Sequence, residues 1–99
     1  MIFQETERTE LKRVLNDTIQ KEIVAFLNSF DATIYIGVND DGSILGVENL
    51  DETQKKIADI VTTQILPNPQ ENIELGTKYF DGKNIVEIKV FKGNSLYYI

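Results

Sequence analysis

The stretch TIYIGVNDDGSILGV, Thr33 to Val47, decides how this chain is read. Ile34 and Ile36 alternate with Tyr35 and Gly37, the signature of a strand with one buried face. Asp41-Gly42 supplies turn chemistry, and Ile44-Leu45 re-enters an apolar run that stops at Gly46. The expectation is strand, tight turn, strand, with Thr33–Val38 and Ser43–Val47 as the two arms.

Working outward, the preceding segment predicts a helix. Asn16-Asp17-Thr18 offers capping side chains, and Ile19, Ile23, Phe26, Leu27 and Phe30 recur at three- and four-residue steps. Asn28 reads as the cap that ends it, with positioning of a neighbouring loop as the alternative. Upstream, Thr9 to Val14 is a short, weakly patterned strand behind a lead-in of residues 1–5. Downstream, a second helix is expected from Leu50-Asp51, capped by Asp51 with Gln54 three residues on, and carrying Ile57, Ile60, Val61 and Ile65 as its apolar stripe. Pro67 stops it, and Pro67-Asn68-Pro69 reads as a rigid link. Asn72–Phe80 and Lys83–Phe91 flank Asp81-Gly82, a two-residue hairpin signal. In the last strand Ile85, Ile88 and Val90 alternate with Glu87 and Lys89, and Val86 breaks the pattern. The apolar Tyr97-Tyr98-Ile99 reads as a strand start. The fold class is therefore α+β: a mostly antiparallel sheet of four or five strands with two helices, in the order β-α-β-β-α-β-β.

Ninety-nine residues make one domain, and 41% hydrophobic with 26% charged residues is ordinary globular usage. The net charge of −6 is more telling, because a phosphate-gripping domain is usually basic overall. Residues 1–50 hold nine acids against four bases, and residues 51–99 seven against six, so a nucleic-acid surface is expected to be a local patch or to be supplied by another subunit or by further chain. With no cysteine and no histidine, disulfides, thiolate nucleophiles, the usual zinc sites and histidine-dependent triads are all excluded. No signal peptide opens the chain, and no apolar run approaches the roughly 20 residues a membrane span needs. The composition fits a reducing compartment, and a cytoplasmic location is expected.

Several short phrases, in order, carry a resemblance along nearly the whole chain. Glu5, Glu10, Leu11 and Lys12 form an E-x-x-x-x-E-[FL]-K phrase; Ala25, Phe26 and Asn28 form A-F-x-N; Ile36 to Val47 form I-G-V-x-D-D-G-x-x-x-G-V; and Tyr97-Tyr98 closes the chain. Together they resemble the Alba-like domain of the Schlafen family. Asp31-Ala32 stands where that family commonly has Gly-Gly, and Leu96 where a proline is often found. The resemblance implies a DNA-binding module of a transcriptional-regulator-like protein, usually followed by further domains, so the chain is expected to be part of a longer protein. It also implies an alternative, a metal-dependent endoribonuclease whose carboxylates align with Glu5, Glu10 and Asp40.

Hard carboxylate oxygens suit Mg²⁺ or Mn²⁺, which would activate water against a phosphodiester. Residues five apart on a regular strand face opposite ways, so Glu5 and Glu10 meet only if the lead-in bends. The plain alternative makes Glu5 a solvated residue, Glu10 an edge-strand charge and Asp40 part of a turn. For phosphate, the candidates are Lys12 and Arg13, then Lys78, Lys83, Lys89 and Lys92, with solubility and edge protection as the plain alternative. Expected partners are nucleic acid, DNA before RNA, and further copies of the chain; a protein-interaction or oligomerisation domain is the remaining function.

Overall fold

In the computed structural model, which describes residues 3–16 and 18–99, one four-stranded mixed sheet carries two helices on one face. The elements are β1 (Thr9–Lys12), α1 (Ile19–Leu27), β2 (Ala32–Ile36), α2 (Leu50–Thr63), a short 3₁₀ turn (Gln70–Asn72), β3 (Ile73–Phe80) and β4 (Lys83–Val90). The strands lie in the order β1-β2-β4-β3. β1 runs parallel to β2, joined through α1, because a parallel pair needs a crossover that a tight turn cannot supply. β2–β4 and β4–β3 are antiparallel.

Strand alternation sorts side chains onto two faces. On the helix face, Ile34, Ile36, Val86, Ile88 and Val90 meet Ile19, Ile23 and Leu27 of α1 and Ile57 and Val61 of α2. The opposite face holds a smaller cluster of Phe3, Leu11, Val38 and Ile85, against which Tyr35, Ile44 and Phe80 pack. This second cluster shows that Ile85, not Val86, breaks the alternation: Val86, Ile88 and Val90 share the helix face, and β4 is a central strand whose two faces are both buried at Ile85-Val86.

The expected Ser43–Val47 strand does not form, so the sheet has four strands and the order is β-α-β-α-β-β. Only a single bridge, Val38 to Ile44, survives of that hairpin. Its turn is as read: Gly42 takes φ +88 and Asn39 N–H donates to Ser43 C=O at 2.9 Å. Glycines bend both ends out of a ladder, Gly37 at φ +97 and Gly46 at φ +90. The Gly37 carbonyl instead accepts from both Leu45 (2.9 Å) and Gly46 (2.8 Å), and a Cβ on Gly37 would lie 3.0 Å from the Gly46 backbone. Val47 then donates to Asn84 at 2.8 Å, running along the start of β4.

Other boundaries shift for local reasons. β1 stops at Lys12, before Val14. The cap of α2 is Asn49 rather than Asp51: Asn49 Oδ1 accepts from Glu52 N–H at 3.1 Å, and Asn49 Nδ2 reaches Glu52 Oε2 at 3.1 Å, a reciprocal arrangement two residues earlier than expected. At α1, Asn16 Oδ1 accepts from the Thr18 backbone N–H (3.0 Å) and hydroxyl (2.7 Å), while Asp17 lies outside the described residues. Asp81 and Gly82 both have positive φ, 51° and 76°, so the β3–β4 turn is the one its sequence demands.

Asn28 sits at the C-cap of α1, but its side chain does the work of the alternative reading. Its Nδ2 donates to Tyr97 C=O (2.9 Å) and its Oδ1 accepts from Tyr97 N–H (2.8 Å), fixing the tail across a sequence separation of 69. Tyr97 is thereby buried against the main core, over Gly93, where a Cβ would sit 2.1 Å from the ring. Tyr98 pairs with Leu66 through two 2.8 Å hydrogen bonds, a single bridge rather than a strand. Among the described residues, no helix is long and apolar enough to cross a membrane.

Candidate functional site

Three places collect chemistry. The first is the corner where the lead-in meets β1. Thr6 and Thr9 bond reciprocally at 3.0 and 3.3 Å, turning the chain back so that Glu5 Oε2 accepts from Leu11 N–H at 3.3 Å. That bend is what brings Glu5 beside Glu10, whose carboxyl is pushed up by burial, then by the Glu5 charge and hydrogen bond and by the Glu22 charge, with Lys12 opposing. Lys12 is in close contact with Glu22 of α1 and 3.8 Å from Glu10. Burial works against the Lys12 charge, yet the Glu22, Glu10 and Glu5 carboxylates outweigh it and hold the ammonium above its ordinary range.

Asp40 stands elsewhere, exposed in the turn after β2, with no side-chain hydrogen bond or ion pair among the described residues. The third carboxylate acting on Glu10 is Glu22. Among the described residues no three acidic side chains gather closely enough to hold one ion. Glu22 was missed in the sequence because it lies on a helix twelve positions from Glu10. Only the crossover of α1 above the β1–β2 pair brings it in.

The second place is the open face of the sheet, away from the helices. Because β4 and β3 pair in register, with Lys78 opposite Ile85 and Glu74 opposite Lys89, the residues Lys78, Lys83 and Lys89 share this face with Tyr35. Glu87 lies among them, its side chain only 12% exposed, 3.8 Å from Lys78 and 3.9 Å from Lys89. Tyr35 stands opposite Glu87, and burial together with that carboxylate pushes its hydroxyl up to about 12. Lys83 lays its stem over Gly46 and donates from Nζ to Ile44 C=O at 3.3 Å. Lys92, whose N–H bonds Asp31 at 2.8 Å, follows the end of β4. Lys12 is not part of this lane: it faces α1.

The third place is a groove of about 780 Å³ at the carboxyl ends of the parallel pair β1 and β2, lined by Arg13, Leu15, Leu45, Val47, Asn49 and Lys56 among others. Arg13 therefore belongs to this groove. The sequence signal for it was slight: Val14 and Leu45, 63% and 42% exposed, are apolar residues outside any buried stripe.

The family model for the Schlafen, AlbA_2 domain matches residues 5–99. The chain belongs to the Schlafen AlbA_2 family. Among solved structures it is similar to the N-terminal domain of a protein related to the ATP-dependent DNA helicase RecG from Nitrosomonas europaea, with a TM-score of 0.73 at 19% identity, over 91% of this chain and 66% of that one. It is also similar to the DIP2311 protein from Corynebacterium diphtheriae, with a TM-score of 0.64 at 18% identity, over 95% of this chain. This AlbA_2 chain spans about two thirds and one fifth of the lengths of those two structures, 66% and 20%. No curated relative matches it.

Proposed function

We propose that this AlbA_2 domain is a nucleic-acid-binding module, DNA before RNA, working as one part of a longer regulatory protein. The observation that carries the reading is the lane of Lys78, Lys83 and Lys89 on one sheet face of a chain whose net charge is −6. The contacts of Lys78 and Lys89 with Glu87 are long, 3.8 and 3.9 Å, and both ammonium side chains are exposed, so a phosphate can draw them away at small cost. Tyr35 beside them offers an aromatic ring on the same face. Family membership and the likeness to a domain of a DNA-helicase-related protein support the same reading. The partial coverage of both structural neighbours supports a larger working unit.

In this reading the carboxylate corner is structural. Glu5 closes the Thr6–Thr9 bend through Leu11, and the Lys12 ammonium already serves Glu10 and Glu22 as their cation. A Mg²⁺ or Mn²⁺ ion has no part in the proposed step.

The test is fluorescence anisotropy with labelled duplex DNA and single-stranded RNA across a salt series. Three lysine–phosphate contacts predict a log–log salt slope of about −3 on duplex. Replacing Lys78, Lys83 and Lys89 together by Ala should flatten that slope and weaken binding to every sequence alike. Binding by the triple variant that matches the parent, or no binding by the parent at about 20 mM salt, would overturn the proposal.

A further inference from the structure

The sheet ends at β3, and among the described residues the outer side of that strand has no partner. The direction of its backbone groups follows from the hairpin. A two-residue loop at Asp81-Gly82 makes Phe80 and Lys83 a hydrogen-bonded pair, so the even-numbered residues of β3 turn N–H and C=O toward β4. Two bonds outside the ladder agree with this parity. Phe91 N–H donates to Asn72 C=O at 2.8 Å, and Asn84 C=O faces away from β3 to accept from Val47. Ile73, Leu75, Thr77 and Tyr79 therefore present their N–H and C=O groups outward. The Ile73 N–H is taken by Gln70 C=O of the 3₁₀ turn; among the described residues the Leu75, Thr77 and Tyr79 groups take part in no hydrogen bond beyond the sheet.

We infer that this edge pairs antiparallel with β3 of a second copy of the chain, about a two-fold axis at Gly76. Outward groups must face outward groups, so odd-numbered residues must stand opposite odd-numbered ones, and only axes through a residue satisfy that. With the axis at Gly76, Leu75 and Thr77 form complete hydrogen-bonded pairs and Ile73 C=O accepts from Tyr79 N–H, each twice. The intervening positions are the closely spaced ones, and there Glu74 of each copy stands opposite Lys78 of the other. Moving the axis to Leu75 or Thr77 sets Glu74 against Gly76 or Phe80 and loses both charge pairs.

Three features of the strand fit this register. A Cβ on Gly76 would meet nothing within 4 Å, so two copies can approach closely at the axis. Tyr79, 68% exposed, gains Ile73 of the other copy as an apolar neighbour. Glu74 has no ion-pair partner among the described residues, and Lys78 has only the 3.8 Å contact with Glu87. Lysine on an edge strand ordinarily repels an incoming strand, but in this register each Lys78 meets a Glu74 instead. The product is one eight-stranded sheet with the lysine lanes of both copies on the same face.

Sedimentation equilibrium on the parent, from about 1 µM to about 1 mM, is expected to show a species of twice 11.3 kDa. Glu74→Lys and Lys78→Glu each place like charges opposite one another twice, and each should weaken association about tenfold or more. The double reversal should restore it. An equimolar mixture of the two single variants should associate as the parent does, since each chain then carries the charges the other lacks. Circular dichroism on each variant confirms the fold. Should Lys78→Glu fail to fold on losing Glu87, Glu74→Lys alone carries the test, with its association expected to recover at high salt as repulsion is screened. A parent that stays monomeric at 1 mM, or single reversals that associate as the parent does, would overturn the inference.

Discussion

The two faces of the sheet differ in what their side chains are free to do. On the helix face, Ile34, Ile88 and Val90 are at most 1% exposed and enclosed by two helices. On the open face the apolar cluster of Phe3, Leu11, Val38 and Ile85 reaches only part of the way, and the remainder is Tyr35, Glu87 and the lysines. Phe3 covers that cluster through ring contacts at 4.6 Å to Tyr35 and 5.4 Å to Phe80. One face is spent on burying surface; the other keeps charge and aromatic rings within reach of a ligand.

The sharpest way to break this contrast is a cavity on each face. Ile88→Ala should lower stability by about 2–5 kcal/mol, since helices on one side and strands on either flank leave little room to collapse. Phe80→Ala on the half-buried open face should lose less than half as much, as read by urea denaturation at constant m-value. Equal losses would mean that both faces are core.

Next is the tail. Gly93→Ala forces a methyl group into the Tyr97 ring, and a loss of about 1–3 kcal/mol is expected, visible as a lower Tm. Asn28→Ala, which frees both backbone groups of Tyr97, should fall in the same range. An unchanged Tm in both would show that the tail adds nothing to the helix-side core.

A smaller effect separates the faces by pH. Tyr35 has a folded-state value of about 12 against an ordinary 10, so the folded chain holds this proton more tightly than the unfolded one. The stability this contributes is present below pH 10 and falls as pH rises from 10 to 12. Tyr35→Phe should flatten that part of the stability curve, and in the parent one tyrosinate absorbance step should come late. The Lys12 contribution follows the same sign, full below 10.5 and lost as pH rises through its raised folded value.

The smallest expected effect is at the carboxylate corner. Glu10 is raised above 4.5, so its ionisation works against the fold as pH climbs from 4.5 through its folded value. Glu10→Gln should stabilise the chain by a few tenths of a kcal/mol at neutral pH, with no gain below pH 4. A loss of stability at pH 7 would show the Lys12 contact to be worth more than the crowding with Glu5 and Glu22.

Much of the architecture could be read from the chain because the signals were local. The four-residue spacing of Ile19, Ile23 and Leu27 produced a helix with that face buried, and Asp81-Gly82 produced its hairpin. The Gly37 and Gly46 conformations show the limit of such reading: the Thr33–Val47 phrase has strand-like composition, yet positive φ at both glycines prevents a ladder. The Asn49 cap was misplaced by two residues because Asn49 and Asp51, on either side of Leu50, both offer a capping oxygen, and only the hydrogen-bond geometry selects between them.

By itself, then, the sequence determined the element types, the turn chemistry, the absence of cysteine and histidine chemistry, and the family phrases. Those properties depend on neighbours a few residues apart and survive in any fold. The tertiary structure alone decided which charges meet. It bent the lead-in so that Glu5 joins Glu10, swung Glu22 over to Lys12, and left Asp40 apart. It also set β4 between β2 and β3, which places Lys78 and Lys89 around Glu87 beside Tyr35. Most of these contacts join residues of different elements, and the bend of the lead-in, the helix crossover and the strand order decide which of them are made.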